Sequence, residues 1–353
     1  MENSIKVFKE LTSLDAVPGF EKEVAEYLIE NLSPYADEIK RDNLGGVYAY
    51  KYSKNPNAKT LMVAAHMDEI GFMITKILPN GFLKFEALGG FRDDTLLTQK
   101  FTVTTYEGKK FVGVIPAVPK HFVSGNESAI KLSEMTIDIG AESDKEVREW
   151  GIKEGDIVTP RTEFERLSEN RILAKAFDNR YGCVLVVETL KELADKDLDC
   201  NLVVCATVQE EVGLRGAGIA ANLVKPDLAL VVDCSPANDM GGNKDANGRL
   251  GQGFLVRLMD RTMILRGNLR ERIIDLANKN DIKYQYFTSP GGTDAGAIHQ
   301  ALLGVPTAVV GICGRYIHSH NSMIDIRDYL AAKNIVKVIA EELNDEFIEH
   351  IRL

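Results

Sequence analysis

AAHMDEIGFM, residues 64–73, decides how this chain is read. Leu61, Met62 and Val63 precede it, so an apolar strand rises through a core and releases His66, Asp68 and Glu69 where it stops. In α/β sheets that is where chemistry collects. The texture changes immediately afterwards. Residues 70–161 carry short β-like runs such as GFMITKI, GFLKFEAL, KFTVTTY and KFVGVI, with a helical pattern only near 144–150. Strand and helix patterns alternate on both sides of this stretch. The chain therefore reads as an α/β domain of residues 1–69 and 162–353, interrupted by a small β-rich unit of residues 70–161.

Upstream, helical spacing covers 4–14 and 21–32, and a turn at Asp42-Asn43-Leu44-Gly45-Gly46 leads into a strand at 47–52. Downstream, each apolar strand again ends in polar residues. Asp178-Asn179-Arg180 opens a helix at 181–193, and the strand 201–208 runs into Gln209-Glu210-Glu211. The strand 228–232 ends at Asp233, a helix follows near 269–280, and the strand 307–312 precedes His318.

A formal charge of −10 over 353 residues argues against non-specific binding to nucleic acid or an anionic membrane, which requires a cationic surface. Cys183, Cys200, Cys205, Cys234 and Cys313 are odd in number, form no CxxC pair and lie mostly in apolar stretches, as thiols do in a reducing compartment. No basic, apolar leader opens the chain, and no run reaches the roughly 18–20 apolar residues of a membrane span. The expected location is the cytoplasm.

His66, Asp178, Glu211, Asp233 and His318 each fall at or just beyond a strand end. Singly, each has a bland reading: Asp178 as a helix cap, the glutamates as turn residues, Asp233 as an Asx turn. Five such coincidences favour a site. Two imidazoles and three carboxylates make an oxygen-rich set suited to Zn²⁺, Co²⁺ or Mn²⁺. Two divalent cations against three carboxylates leave net positive charge, which lowers the pKa of a bound water. Glu210, adjacent to Glu211, is then free as the general base, and Asp68 can orient His66 through its second ring nitrogen. His320 lies two residues from His318, so only one of that pair faces the site. His299 reads as packed, and His121 and His350 as surface residues.

AAHMDEIGFM, AFDNRYG, QEEVGLRGA, VVDCSPA, GGTDAG and RYIHSH together resemble the M42 family of metallo-aminopeptidases, in its glutamyl aminopeptidase branch. The resemblance covers nearly the whole chain. It implies a mixed sheet flanked by helices, with a small barrel-like dimerisation domain inserted. It implies one metal held by His66, Asp178 and Asp233 and another by Asp178, Glu211 and His318. Choosing His318 over His320 rests mainly on this likeness. Glu210 would be the base that activates a bridging water, and Asp68 the support of His66. Dimers assembling into a tetrahedral dodecamer, and peptide substrates, are implied as well.

The resemblance also points towards N-terminal Glu or Asp as the residue removed. A pocket for an acidic side chain needs a cation, and Arg257 in FLVRL is the candidate, against the bland reading of an edge-strand arginine with its head in solvent. Gly292, Thr293 and Asp294 are expected to line the substrate pocket, the glycine permitting close approach. A broader-specificity aminopeptidase of the same family, a two-metal phosphoesterase and a catalytically silent protein of the same fold are the competing readings. The second lacks a phosphate loop and clamping cations, and the third must explain a complete ligand set with a spare glutamate.

Overall fold

The computed structural model describes residues 2–122 and 130–352. Helices α1 (Glu2–Ser13) and α2 (Lys22–Leu32) each bury one stripe, Phe8 and Leu11 from the first and Val24, Ala25 and Leu28 from the second. The hairpin of β1 (Glu38–Arg41) and β2 (Val47–Lys51) turns where the Asp42 carboxylate accepts hydrogen bonds from the N–H groups of Leu44, Gly45 and Gly46. Strand β3 (Thr60–His66) follows and is buried from Leu61 onwards.

The chain then builds a second sheet from β4 (Gly71–Ile77), β5 (Leu83–Leu88), β6 (Lys100–Thr104), β7 (Lys110–Val114) and β8 (Ile157–Pro160), with α3 (Asp144–Glu149) before the last strand. Its order is β5-β4-β8-β6-β7, antiparallel throughout. Ile137 bridges to β5 and Asp138 to β7, so one segment touches both edge strands. Phe72, Phe85, Phe101, Ile137 and Val158 form a core of its own.

Strands β9 (Glu165–Arg166) and β10 (Arg171–Ala174) return the chain to helix α4 (Phe177–Leu193), β11 (Asn201–Thr207), α5 (Ala217–Val224) and β12 (Leu228–Pro236). Next come β13 (Phe254–Met259), α6 (Gly267–Lys279), β14 (Tyr284–Thr288), α7 (Asp294–His299) and β15 (Thr307–Gly314). The chain closes with β16 (Ser322–Asp325), α8 (Ile326–Glu342) and α9 (Asp345–Arg352). Among the described residues no helix is long and apolar enough to cross a membrane.

The main sheet runs β1-β2-β11-β3-β12-β15-β13-β14 and is mixed, flanked by helices on both faces. Alternation within β3 shows how. Leu61, Val63 and Ala65 pack into the core shared with α1, α2, α4 and α8, whereas Met62 and Ala64 pack against α5 and α7. Strands buried on both faces carry no polar alternation, which is why they read as continuous apolar runs. Four neighbours, β11, β3, β12 and β15, are parallel, so their C-terminal ends share one edge. The strands and helices named from the sequence lie within a few residues of observed elements, whereas α5, α8 and α9 are not among those named and β12 continues three residues beyond Asp233. It does so because β15 pairs with it as far as Pro236 and Gly314.

Candidate metal centre

The five candidate ligands converge on that shared edge. His66 ends β3, and Asp233 lies on the adjacent β12. Asp178 lies in the distorted first turn of α4, its two carboxylate oxygens facing different imidazoles. Oδ1 is 3.2 Å from His66 Nε2 and Oδ2 is 3.5 Å from His318 Nε2. His66 Nε2 is also 3.8 Å from Asp233 Oδ1 and 4.0 Å from Glu210 Oε2, and His318 Nε2 is 3.7 Å from Glu211 Oε2. Donor atoms within 4.8 Å of one another group as His66, Asp178 and Asp233, as Asp178, Glu211 and His318, and as His66, Glu210 and Glu211. The first two groups share Asp178.

Left-handed backbone marks three of the segments that present these groups. Ala176 (φ 56°) stands two residues before Asp178, Gln209 (φ 56°) directly before Glu210, and His318 itself has φ 58°. Side chains hold these turns in place. The Glu21 carboxylate accepts from Gly19 N at 2.8 Å and from Gln209 N at 3.0 Å. The Asp68 carboxylate accepts from the N–H of Glu210 and of Glu211, each at 3.0 Å. That changes the part expected of Asp68. Its backbone carbonyl, 3.0 Å from His66 Nδ1, is the nearer support of the ring, while its carboxylate, 3.6 Å from the ring, anchors the glutamate pair. Either acceptor leaves Nε2 of His66 pointing at the acidic cluster. For His318 the corresponding acceptor is the Gly90 carbonyl, 2.9 Å from Nδ1.

Glu69, conspicuous in the sequence, turns away from this cluster. It accepts from Lys175 and Arg180, each at 2.9 Å, and from Ala16 N at 3.3 Å. Lys175 also donates to Asp15 at 2.6 Å, and Asp15 reaches Lys110 and Thr159 of the second sheet. Arg180, fully buried, donates to the carbonyls of Leu11 and Met67. The network ties the exit of β3 and the entry of α4 to the α1–α2 loop.

Burial disfavours charge throughout the cluster. It pushes Glu210 well above the usual carboxylate range, lifts Glu211 to about 8, and lifts Asp294 to about 7. Asp178 resists burial because the imidazoles of His318 and His66 hold it below that range. Burial likewise opposes a charged His318, yet Asp178 and Glu211 raise it to about 10. Among the described residues no lysine or arginine nitrogen lies within 4 Å of Asp178, Glu210, Glu211 or Asp233, so four carboxylates face one another with only two imidazoles between them. That charge deficit and an all nitrogen-and-oxygen donor set fit divalent cations.

A cleft of about 850 Å³ opens over the cluster, walled by Gly90 and Phe91 from the β5–β6 loop and by Leu214, Tyr316, Gly292 and Thr293 from loops around the main sheet. Gly292 packs tightly on the protein itself, since a Cβ there would meet Thr262 Cγ2 at 2.6 Å. Asp294 points inward instead of lining the cleft, accepting from Thr207. Arg257 borders the cleft, but its head is neither in solvent nor free. It donates to Asp260 at 3.0 Å and to Ser235 at 2.6 Å, leaving only Nε without a partner. Strand β14 covers β13, so this is no edge-strand arginine. His320 faces Lys100 and Phe101, His299 packs on Thr262 O, and His121 and His350 are exposed. A groove of about 970 Å³ between α2 and the second sheet is bordered by none of the candidate ligands. Sequence reasoning missed Glu21, Lys175 and Gly90. Only the polar residues at otherwise apolar helix and strand ends hinted at the first two, and nothing flagged a backbone carbonyl.

Comparison with known proteins shows the family. The profile described as M42 glutamyl aminopeptidase matches residues 45–335. The chain is similar to the glutamyl aminopeptidase of Lactococcus lactis, with 41% identity over 98% of both chains. Its identity to the lysyl aminopeptidase of Pyrococcus furiosus is 32%, over 96% of this chain and 97% of that one. Among solved structures, an aminopeptidase of the archaeon Desulfurococcus kamchatkensis superposes with a TM-score of 0.95 at 36% identity, covering 100% of this chain and 98% of that one. The Pyrococcus horikoshii TET1 peptidase, described as assembling into a tetrahedron or a large octahedral shell, does so with 0.88 at 30% identity, covering 96% and 100%. The chain belongs to the M42 glutamyl aminopeptidase family of metal-dependent aminopeptidases.

Proposed function

We propose that the protein removes N-terminal residues from peptides at a dinuclear centre, His66, Asp178 and Asp233 holding one ion and Asp178, Glu211 and His318 the other. The observation that carries this is the pair of donor triads sharing Asp178, with Glu210 beside them. Zn²⁺ or Co²⁺, with Mn²⁺ also suited to the donors, would supply Lewis acidity and a lowered pKa for water. The chain's own residues do the rest. Glu210 takes the proton of the attacking water and returns it to the leaving amine nitrogen. Asp68 fixes Glu210 and Glu211 through their N–H groups, and Glu21 fixes the residue before them. The cleft around them admits a peptide end, and the carboxylates can receive its free α-amine.

Glu210→Gln should keep both ions and lose about 10²- to 10⁴-fold in turnover, the usual worth of a positioned acid–base group. Activity near wild type would sink the assignment. A panel of free and N-acetylated peptides and phosphate esters separates this reading from an endopeptidase or a phosphoesterase.

Preference for Glu or Asp is supported by the Lactococcus lactis relative's name, while the Pyrococcus furiosus relative's name shows that kin at this distance act on a basic residue. Arg257 borders the cleft and would be the cation facing an acidic side chain, with Asp260 already offsetting part of its charge. Arg257→Ala should therefore cost more on Glu- than on Leu-peptides. We assign residues 70–161 to dimerisation from the family resemblance alone, and dimers to a tetrahedral dodecamer by likeness to the Pyrococcus horikoshii TET1 proteins, described as a dodecamer and as assembling into a tetrahedron or octahedral shell. Light scattering measures the mass. A cytoplasmic location accords with five buried, unpaired thiols.

A further inference from the structure

The two histidines of the centre are held by different parts of the molecule. His66 leans on the carbonyl of Asp68, two residues on in its own strand exit. His318 leans on the carbonyl of Gly90, 228 residues away in the loop between β5 and β6 of the second sheet. His66 is 2% exposed, whereas the His318 side chain is 41% exposed, so the second ring has less packing to hold it.

We infer that the second sheet is a structural part of the metal centre, the Gly90 carbonyl being the positioning group that sets affinity at the Asp178, Glu211 and His318 cluster. This rests on the two-metal reading above. The segment carrying His318 is clamped to that sheet twice. Two residues on, His320 is buried, its Nε2 3.0 Å from Lys100 O and its ring edge-on to Phe101 at 4.5 Å. Glycine is required where the clamp is tightest. Gly89 has φ 93°, and a Cβ on it would lie 2.5 Å from Ile70 Cγ2 and 3.4 Å from Cβ of Glu211. The loop therefore passes close to one candidate ligand while its next carbonyl holds another. Gly90 itself has ordinary φ, and a Cβ there would meet His318 Nδ1 at 3.5 Å, a normal contact. The ions of the centre would thus differ in one respect: the His66 ring takes its carbonyl support from its own strand exit, the His318 ring from a loop of the second sheet.

Zinc titration of the metal-free protein by calorimetry, with chelator competition, tests this on wild type, Gly89→Ala, Gly90→Ala and His318→Gln. The step that His318→Gln abolishes should weaken about 10- to 100-fold in Gly89→Ala, the range measured for groups that orient ligands. The other step should stay within about twofold, and Gly90→Ala should keep both. Equal weakening of both steps, no weakening, or weakening of the step that His318→Gln retains would overturn the inference alone. Fewer than two equivalents bound by wild type would remove the two-metal reading and this inference with it. If Gly89→Ala does not fold, nitrogen-15 spectra of zinc-loaded wild type decide the matter. They should contain a slowly exchanging imidazole Nδ1–H that vanishes in His318→Gln, and its absence from wild type would overturn the inference.

Discussion

Replacing Lys175 with Met removes the cation shared by Asp15 and Glu69 while keeping most of the side-chain volume. Lys175 Nζ lies 2.6 Å from Asp15 Oδ1 and 2.9 Å from Glu69 Oε1, with all three side chains at most 6% exposed. Breaking a buried pair costs about 3–5 kcal/mol because the surviving charge stays buried. Here both carboxylates keep other donors. Asp15 retains Lys110 and Thr159, and Glu69 retains Arg180 and Ala16 N, which places the loss at the low end, about 3 kcal/mol. At an unfolding entropy of about 2.1 cal/mol/K per residue, a chain of 353 residues shifts by roughly 1.3 °C per kcal/mol, so melting should fall by roughly 4 °C. The pH arm is as informative. Burial would raise the Asp15 carboxyl, but Lys175 and Lys110 hold it well below the usual range. Its stabilising contribution is therefore complete above the unfolded value of about 3.9 and is lost as pH falls towards the folded one. In Lys175→Met that depression relaxes, so the gap between variant and wild type should narrow between about pH 5 and pH 3. Calorimetric melts across that range measure both effects. A loss below about 1 kcal/mol at pH 7, as for an exposed pair, would refute the reasoning.

Glu21→Ala removes the acceptor for Gly19 N and Gln209 N, so kcat should drop about tenfold with zinc content unchanged, whereas Glu21→Gln, which keeps an oxygen there, should stay near wild type. Steady-state kinetics with metal analysis checks this, and equal losses in both variants would show that charge, not the hydrogen bonds, matters. Gly292→Val inserts atoms where Thr262 is 2.6 Å from the added Cβ, so KM should rise more than melting temperature falls. Chelation leaves four carboxylates facing two imidazoles. Adding zinc back at a hundred times its Kd should raise unfolding free energy by about 2.7 kcal/mol per site, read from denaturant curves.

The main fold was legible because its central strands are buried on both faces, leaving apolar runs such as LVVCAT with polar residues only at their ends. His66, Asp233 and Glu211 share that origin, since side chains at or just past parallel strand ends meet on one edge, whereas Asp178 comes from the first turn of α4 and His318 from the loop after β15. The helper contacts were hidden. Glu21 and Glu69 carry the charge of ordinary surface residues, and only tertiary packing reveals that each caps a distant backbone turn or buried cation. Arg257 looked like a free cation because Asp260 is three residues away, at a strand end whose bend no periodicity predicts. Gly90 acts through its carbonyl, which every residue possesses.

Ala176, Gln209 and His318 hold a left-handed backbone with ordinary side chains, at a cost of about 1 kcal/mol or more each that glycine would relieve. A stability screen that ignores catalysis should therefore favour glycine at Ala176 and Gln209. Such variants would melt later yet grip the substrate-facing carboxylates less firmly, because the freedom that lowers local energy also lets the turns wander. Thermostability and turnover are set against each other at these two residues, and a designer who wants both must look for stability elsewhere, in the second sheet's aromatic core or on the helical surfaces.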